Sequence, residues 1–255
     1  MDRSNFLRAL ASESRELQEM LTSRSRQWFV DLVERGIDRD LSDDSSPSTV
    51  PTDRIYELMC YFFLVKELCK VADKWQLIVG QGHHGYRMPY SPGQKESFAF
   101  FRFKCHSELF DLCCGVKIPV DGEPSEAPDI SLQQVTEWDS KDRSTGKIVG
   151  MWEGKYHSRK NKLSKADFNQ MVARCDVIRL PACCARDILE RFLPDPFTIS
   201  AIVSNTPRAE FNKEQRFRHR FSIIFSFRGQ NGCTAEPSRE EHIKHNTGQE
   251  RKTGV

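Results

Sequence analysis

Residues 148–158 read IVGMWEGKYHS, a run suited to burial that carries one carboxylate, Glu153, and one amine, Lys155. Successive side chains of a strand alternate between faces, so Glu153 and Lys155 share one face while Trp152, Gly154 and Tyr156 take the other. A carboxylate and an amine inside an apolar strand are costly without a partner or a task. Upstream, residues 126–134 read EAPDISLQQ, in which Pro128 sets the direction of the chain and Asp129 opens a strand. If that strand and 148–157 are antiparallel neighbours, the Asp129 carboxylate reaches Glu153. Two carboxylates brought together repel unless a cation lies between them, and a hard, oxygen-seeking ion such as Mg2+ suits the pair, with Mn2+ as a substitute.

Outward from these stretches the chain reads as α/β. Residues 75–79, 98–105 and 109–118 are rich in β-branched and aromatic residues and are expected to be strands, the first two separated by the loop GQGHHGYRMPYSPGQKES at 80–97. Residues 129–135 and 148–157 are further strands, followed by a helix over 164–178, a strand over 197–204 and a last one near 221–227. Ahead of them, Thr52 or Asp53 caps a helix whose Ile55, Leu58, Met59, Phe62, Val65 and Leu68 form one apolar face. Helix, several strands, helix, strand is the order of a mixed sheet flanked by helices. Residues 1–37 read as an N-terminal helical region, with Leu10, Leu17, Leu21, Trp28 and Leu32 at helical spacing. A polar linker spans 38–52, the main domain 53–228, and a disordered tail 229–255.

Composition narrows the setting. The 38 Lys and Arg nearly balance the 36 Asp and Glu, so the net charge of +2 selects no partner and only local clusters of bases count. No apolar run approaches the roughly 20 residues of a membrane span, and the N-terminus lacks the apolar core of a secretory signal, so a cytoplasmic protein is expected. Nine cysteines, including the adjacent pairs Cys113–Cys114 and Cys183–Cys184, suit neither a disulfide framework nor a zinc ribbon and read as reduced, buried fillers. His83 and His84 diverge as chain neighbours and have no matching Cys or His pair nearby, which disfavours zinc there. In the same loop Tyr86 and Arg87 read as substrate contacts.

Pro128–Asp129 followed by Glu153–Gly154–Lys155 resembles the PD-(D/E)XK nuclease superfamily, and the resemblance runs through the element order of residues 53–205. The same letters at Asp139–Ser140–Lys141 fall in the charged turn WDSKDRSTGK, and Pro194–Asp195 has only Glu250–Arg251–Lys252 of the tail downstream. The resemblance implies a restriction-endonuclease-like core and metal-dependent hydrolysis of phosphodiester bonds in nucleic acid, DNA foremost. It implies catalytic roles for Asp129, Glu153 and Lys155, with Lys155 holding or deprotonating the attacking water. It also implies that Gly154 lends its backbone carbonyl to the metal and that the preceding helix adds an acid, Glu57, or alternatively Glu67. A glutamine that the family places on the following helix corresponds to Gln170. Many members serve bacterial restriction or anti-phage defence, so that setting is the expectation here.

Next to the triad, His157, Arg159, Lys160, Lys162 and Lys165 form a basic run suited to phosphates. A second cluster, Arg208, Lys213, Arg216, Arg218, His219 and Arg220, is interleaved with Phe211 and Phe217 and suits a duplex or stacked bases. The helical stripe over residues 4–36 packs on the protein's own core, or serves a homodimer or a partner such as a motor or sensor subunit. The rival reading is a non-catalytic nucleic-acid-binding or assembly subunit on the same fold.

Overall fold

Apolar faces at helical and strand spacing build a three-layer α/β structure, seen here in a computed structural model that describes residues 23–27, 52–83, 85–87, 92–120, 123–139, 143–157, 162–178, 189–198, 200–209, 221–227 and 234–236. Helix α1 (Thr52–Val71) leads into β1 (Lys74–Ile78), β2 (Phe100–Cys105) and β3 (Glu108–Cys114). A small hairpin of β4 (Ile118–Val120) and β5 (Glu123–Glu126) precedes β6 (Ile130–Val135) and β7 (Lys147–Lys155). Helix α2 (Lys165–Ile178), β8 (Ala201–Ser204), β9 (Ser222–Phe225) and β10 (Thr234–Glu236) complete the order. Among the described residues the main sheet has eight strands in the order β1-β2-β3-β6-β7-β8-β9-β10, with β4 and β5 paired apart. Its pairings are antiparallel from β1 through β7 and between β9 and β10; β8 runs parallel to both β7 and β9.

Each face of the sheet has its own core. The apolar face of α1 packs on Phe101, Phe103, Phe110, Leu132, Trp152, Val203 and Ile224, joined by Leu189, Phe192 and Phe197. On the other face, Phe168 and Met171 of α2 pack against Ile148, Met151, Ile202 and Ile223. Ile148 and Met151 share the α2 face because the β6–β7 register slips between Leu132 and Gln133, so Val149 turns with Trp152 toward α1. Gly150 sits at that slip, where an added Cβ would lie 2.6 Å from the Trp152 ring.

Two expectations are corrected. Residues 109–118 are not one strand: Gly115, at φ 56°, ends β3 one residue beyond Cys114, and Ile118 begins the separate hairpin. Within 229–255, read as a tail without structure, Thr234–Glu236 pairs with β9 and so extends the sheet by an edge strand. The rest of that tail lies outside the described residues, as do the linker before Thr52 and the N-terminal region apart from 23–27. From that short stretch, Ser25 donates to the Tyr86 carbonyl at 2.9 Å. The cysteines described are free thiols, buried or half-buried, whereas Cys183 and Cys184 lie outside the described residues. Among the described residues no helix is long and apolar enough to cross a membrane.

Candidate active site

The antiparallel pairing of Ile130 with Trp152 puts Asp129 beside Glu153 at the open end of β6 and β7. From one turn into α1, Glu57 approaches from the other side of Gly154, whose absent side chain lets the helix come close: a Cβ there would lie 3.2 Å from Glu57 Cα. Lys155 Nζ lies 3.2 Å from Glu153 Oε2 and 3.5 Å from Asp129 Oδ2. The Gly154 N–H donates to Asp129 Oδ2 at 3.0 Å, and the Asp129 N–H to Glu153 Oε1 at 3.4 Å. Asp129, Glu153, Gly154, Lys155 and Glu57, predicted from three separate segments, thus meet in one place.

Two arginines join them. Arg174, on α2, lies with Nη1 2.5 Å from Glu153 Oε1, and its Nε donates to Glu126 Oε2 at 3.1 Å. Arg54 pairs with Glu57 one helical turn away. Glu153 has no exposed surface, and its carboxylate is held between Lys155 and Arg174.

Burial, reinforced by the negative charge of Glu153, pushes the Asp129 carboxyl up to about 7 despite Lys155 and Arg174 nearby. Glu57 is also pushed up to about 7, by burial first and then by Asp129, with Arg54 opposing. Burial works against the charge of Lys155, but Asp129 and Glu153 outweigh it and hold the ammonium above the usual lysine range. Among the described residues no group of three or more His, Cys, Asp or Glu side chains is arranged to hold a metal ion. In kind, the donors still suit a hard divalent cation. Two neighbouring carboxyls, each pushed up by burial and by another carboxylate beside it, are short of positive charge, and oxygen ligands are what Mg2+ and Mn2+ take.

The remaining predicted contacts are dispersed. His157 lies two residues beyond Lys155, with Nε2 3.1 Å from Asp167 Oδ2, and Asn205 holds its backbone on both sides. Asp167 also accepts from Ser164 Oγ at 2.5 Å, closing the first turn of α2. Lys162, Lys165 and Arg208 are exposed. Arg87 is bound to its neighbour Tyr86, its Nε 3.1 Å from the Tyr86 hydroxyl, and Arg24 lies over the same ring. Glu67 pairs with Lys70 at 2.5 Å near the end of α1, and Gln170 is exposed on α2. Arg159, Lys160, Lys213, Arg216, Arg218, His219 and Arg220, with Phe211, Phe217 and His84, lie outside the described residues.

Sequence reasoning missed Arg54 and Arg174. The i,i+3 spacing of Arg54 to Glu57 is a usable helical signal. For Arg174 the signal is weaker: it lies two turns after Asp167 on the sheet-facing side of α2, but only the seating of that helix decides which polar residue reaches Glu153. Compared with protein-family models, curated proteins and solved structures, the chain matches none.

Proposed function

We propose that this chain is a metal-dependent nuclease of the PD-(D/E)XK superfamily, with a restriction-endonuclease-like core, acting on DNA from the cytoplasm. One observation carries the reading: Lys155 Nζ lies within 3.5 Å of both Asp129 and Glu153, with Glu57 close enough for its charge to be felt by the same group. A helix, an antiparallel strand pair bearing the acids and the lysine, a second helix and a strand parallel to β7 give further support. Asp129 and Glu153 would hold Mg2+ or Mn2+, with the Gly154 carbonyl and Glu57 completing the donor set. The ion supplies Lewis-acid neutralisation of phosphate oxygens and an acidified water. Lys155, beside both carboxylates, would hold or deprotonate that water. Lys162 and Lys165, with the basic residues that follow Lys155 in sequence, would meet the phosphodiester backbone. A place in restriction or anti-phage defence, and a homodimer or a motor or sensor partner engaged through residues 4–36, belong to the same proposal.

The pairing of every carboxylate with a cation favours one rival, a non-catalytic binding or assembly subunit that keeps the residues as ion pairs. Cleavage of supercoiled plasmid separates the two. Nicking is expected with Mg2+ or Mn2+ and not with EDTA, falling by about a hundred- to a thousandfold in folded Asp129→Ala and Lys155→Ala proteins, as for other charge-stabilising groups at a reacting centre. DNA binding unaffected by EDTA, with no cutting under any of these conditions, would establish the rival.

A further inference from the structure

Glu153 is wholly buried, and both of its oxygens are taken by cations: Oε2 by Lys155 and Oε1 by Arg174. These cations differ in what else holds them. Lys155 stands on the same strand as Glu153 and lies between the two predicted ligands, so its place is set by β7. Arg174 comes from the facing helix on a long side chain, and its second anchor is Glu126, at the rim where the β4–β5 hairpin ends. A divalent cation bound to Glu153 through Oε1 would meet the guanidinium at 2.5 Å, a distance that admits no ion between them.

Charge points the same way. With all four ionised, as a bound cation requires, Glu57, Asp129, Glu153 and Glu126 set four carboxylates against the three cations Arg54, Lys155 and Arg174. A divalent ion turns this deficit of one into an excess of one, which matches the single negative charge of a phosphodiester.

From these contacts we infer that Arg174 stands in for the metal on Glu153. When the metal takes Glu153, Arg174 is released and, still tethered by Glu126, turns to a phosphate of the bound strand. It is thus a positioning residue in the metal-free protein and a phosphate contact in the loaded one. The inference rests on the metal-dependent nuclease reading and adds to it a competition between Arg174 and the ion.

The test is Mn2+ binding measured by titration calorimetry on the full chain without nucleic acid, comparing wild type, Arg174→Gln, Glu126→Gln and Asp129→Asn. Removing the competitor is expected to make Arg174→Gln bind Mn2+ about tenfold tighter while its affinity for a DNA duplex, measured in Ca2+, drops by about tenfold. In Glu126→Gln the guanidinium belongs to Glu153 alone, so Mn2+ is expected to bind several-fold more weakly. This second variant decides the matter should Arg174→Gln not fold. Mn2+ affinity unchanged or weaker in folded Arg174→Gln, or unchanged in Glu126→Gln, overturns the inference and leaves the nuclease reading in place. No Mn2+ binding by wild type overturns both, whereas Mn2+ binding lost in Asp129→Asn locates the ion on the triad.

Discussion

Glu57 and Asp129 are pushed up to about 7, and burial is the first cause for each. Both therefore bind a proton more tightly in the folded chain than in the unfolded one, where ordinary carboxyls titrate near pH 4. Between about pH 4 and pH 7 the native state holds the extra protons, so these groups make stability fall as pH rises, with no further loss above that window. Thermal unfolding of the metal-free protein is expected to show a higher Tm at about pH 5 than at about pH 8, with the slope reduced in Glu57→Gln. Equal slopes in the two proteins would show that the Glu57 carboxyl is not under this strain. Millimolar Mn2+ is expected to flatten the wild-type slope in the same way, because a bound cation replaces the protons.

Close contact between α1 and β7 brings Glu57 within reach of Asp129, and Gly154 permits that contact. The Cβ of any other residue would lie 3.2 Å from Glu57 Cα and Cγ, and Glu57 Cα belongs to helix backbone that cannot yield alone. Gly154→Val should therefore cost about 1–3 kcal/mol by overpacking, read as a lower midpoint in urea at an unchanged m-value. An unchanged midpoint would mean that α1 moves away from β7 at no cost. Helix α2 is anchored differently. Ser164 and Asp167 close its first turn, and Asp167 also takes His157, which ties the end of β7 to the helix.

Away from the site, the molecule buries a second ionic cluster. Arg102 Nε and Nη2 grip the two oxygens of Asp111 at 2.6 and 2.8 Å, Lys95 Nζ lies 2.6 Å from the same carboxylate, and all three side chains are at most 1% exposed. The second positive charge is met by carbonyls: Arg102 donates to those of Glu137 and Asp139, and Lys95 to that of Ser144. These carbonyls lie on the chain between β6 and β7, so the cluster fastens the connection that holds the two site strands together. Asp111→Ala would leave two buried cations without a carboxylate and should cost about 3–5 kcal/mol in urea unfolding. A loss under about 1 kcal/mol, the scale of exposed pairs, would mean that water reaches the cluster. None of this was legible beforehand, because residues 95, 102 and 111 show no common spacing: the pairing of β2 with β3 joins Arg102 to Asp111, and Lys95 arrives from the turn ahead of β2. By itself the sequence determined the strand carrying Glu153 and Lys155, the position of Asp129 and the helix of Glu57, because alternation and apolar periodicity are local properties of the chain. The tertiary structure alone decided the slip at Gly150, the break at Gly115, the edge strand at Thr234–Glu236 and the arrival of Arg174 on Glu153. These depend on how sheet and helices pack, and packing joins residues whose separation along the chain carries no signal.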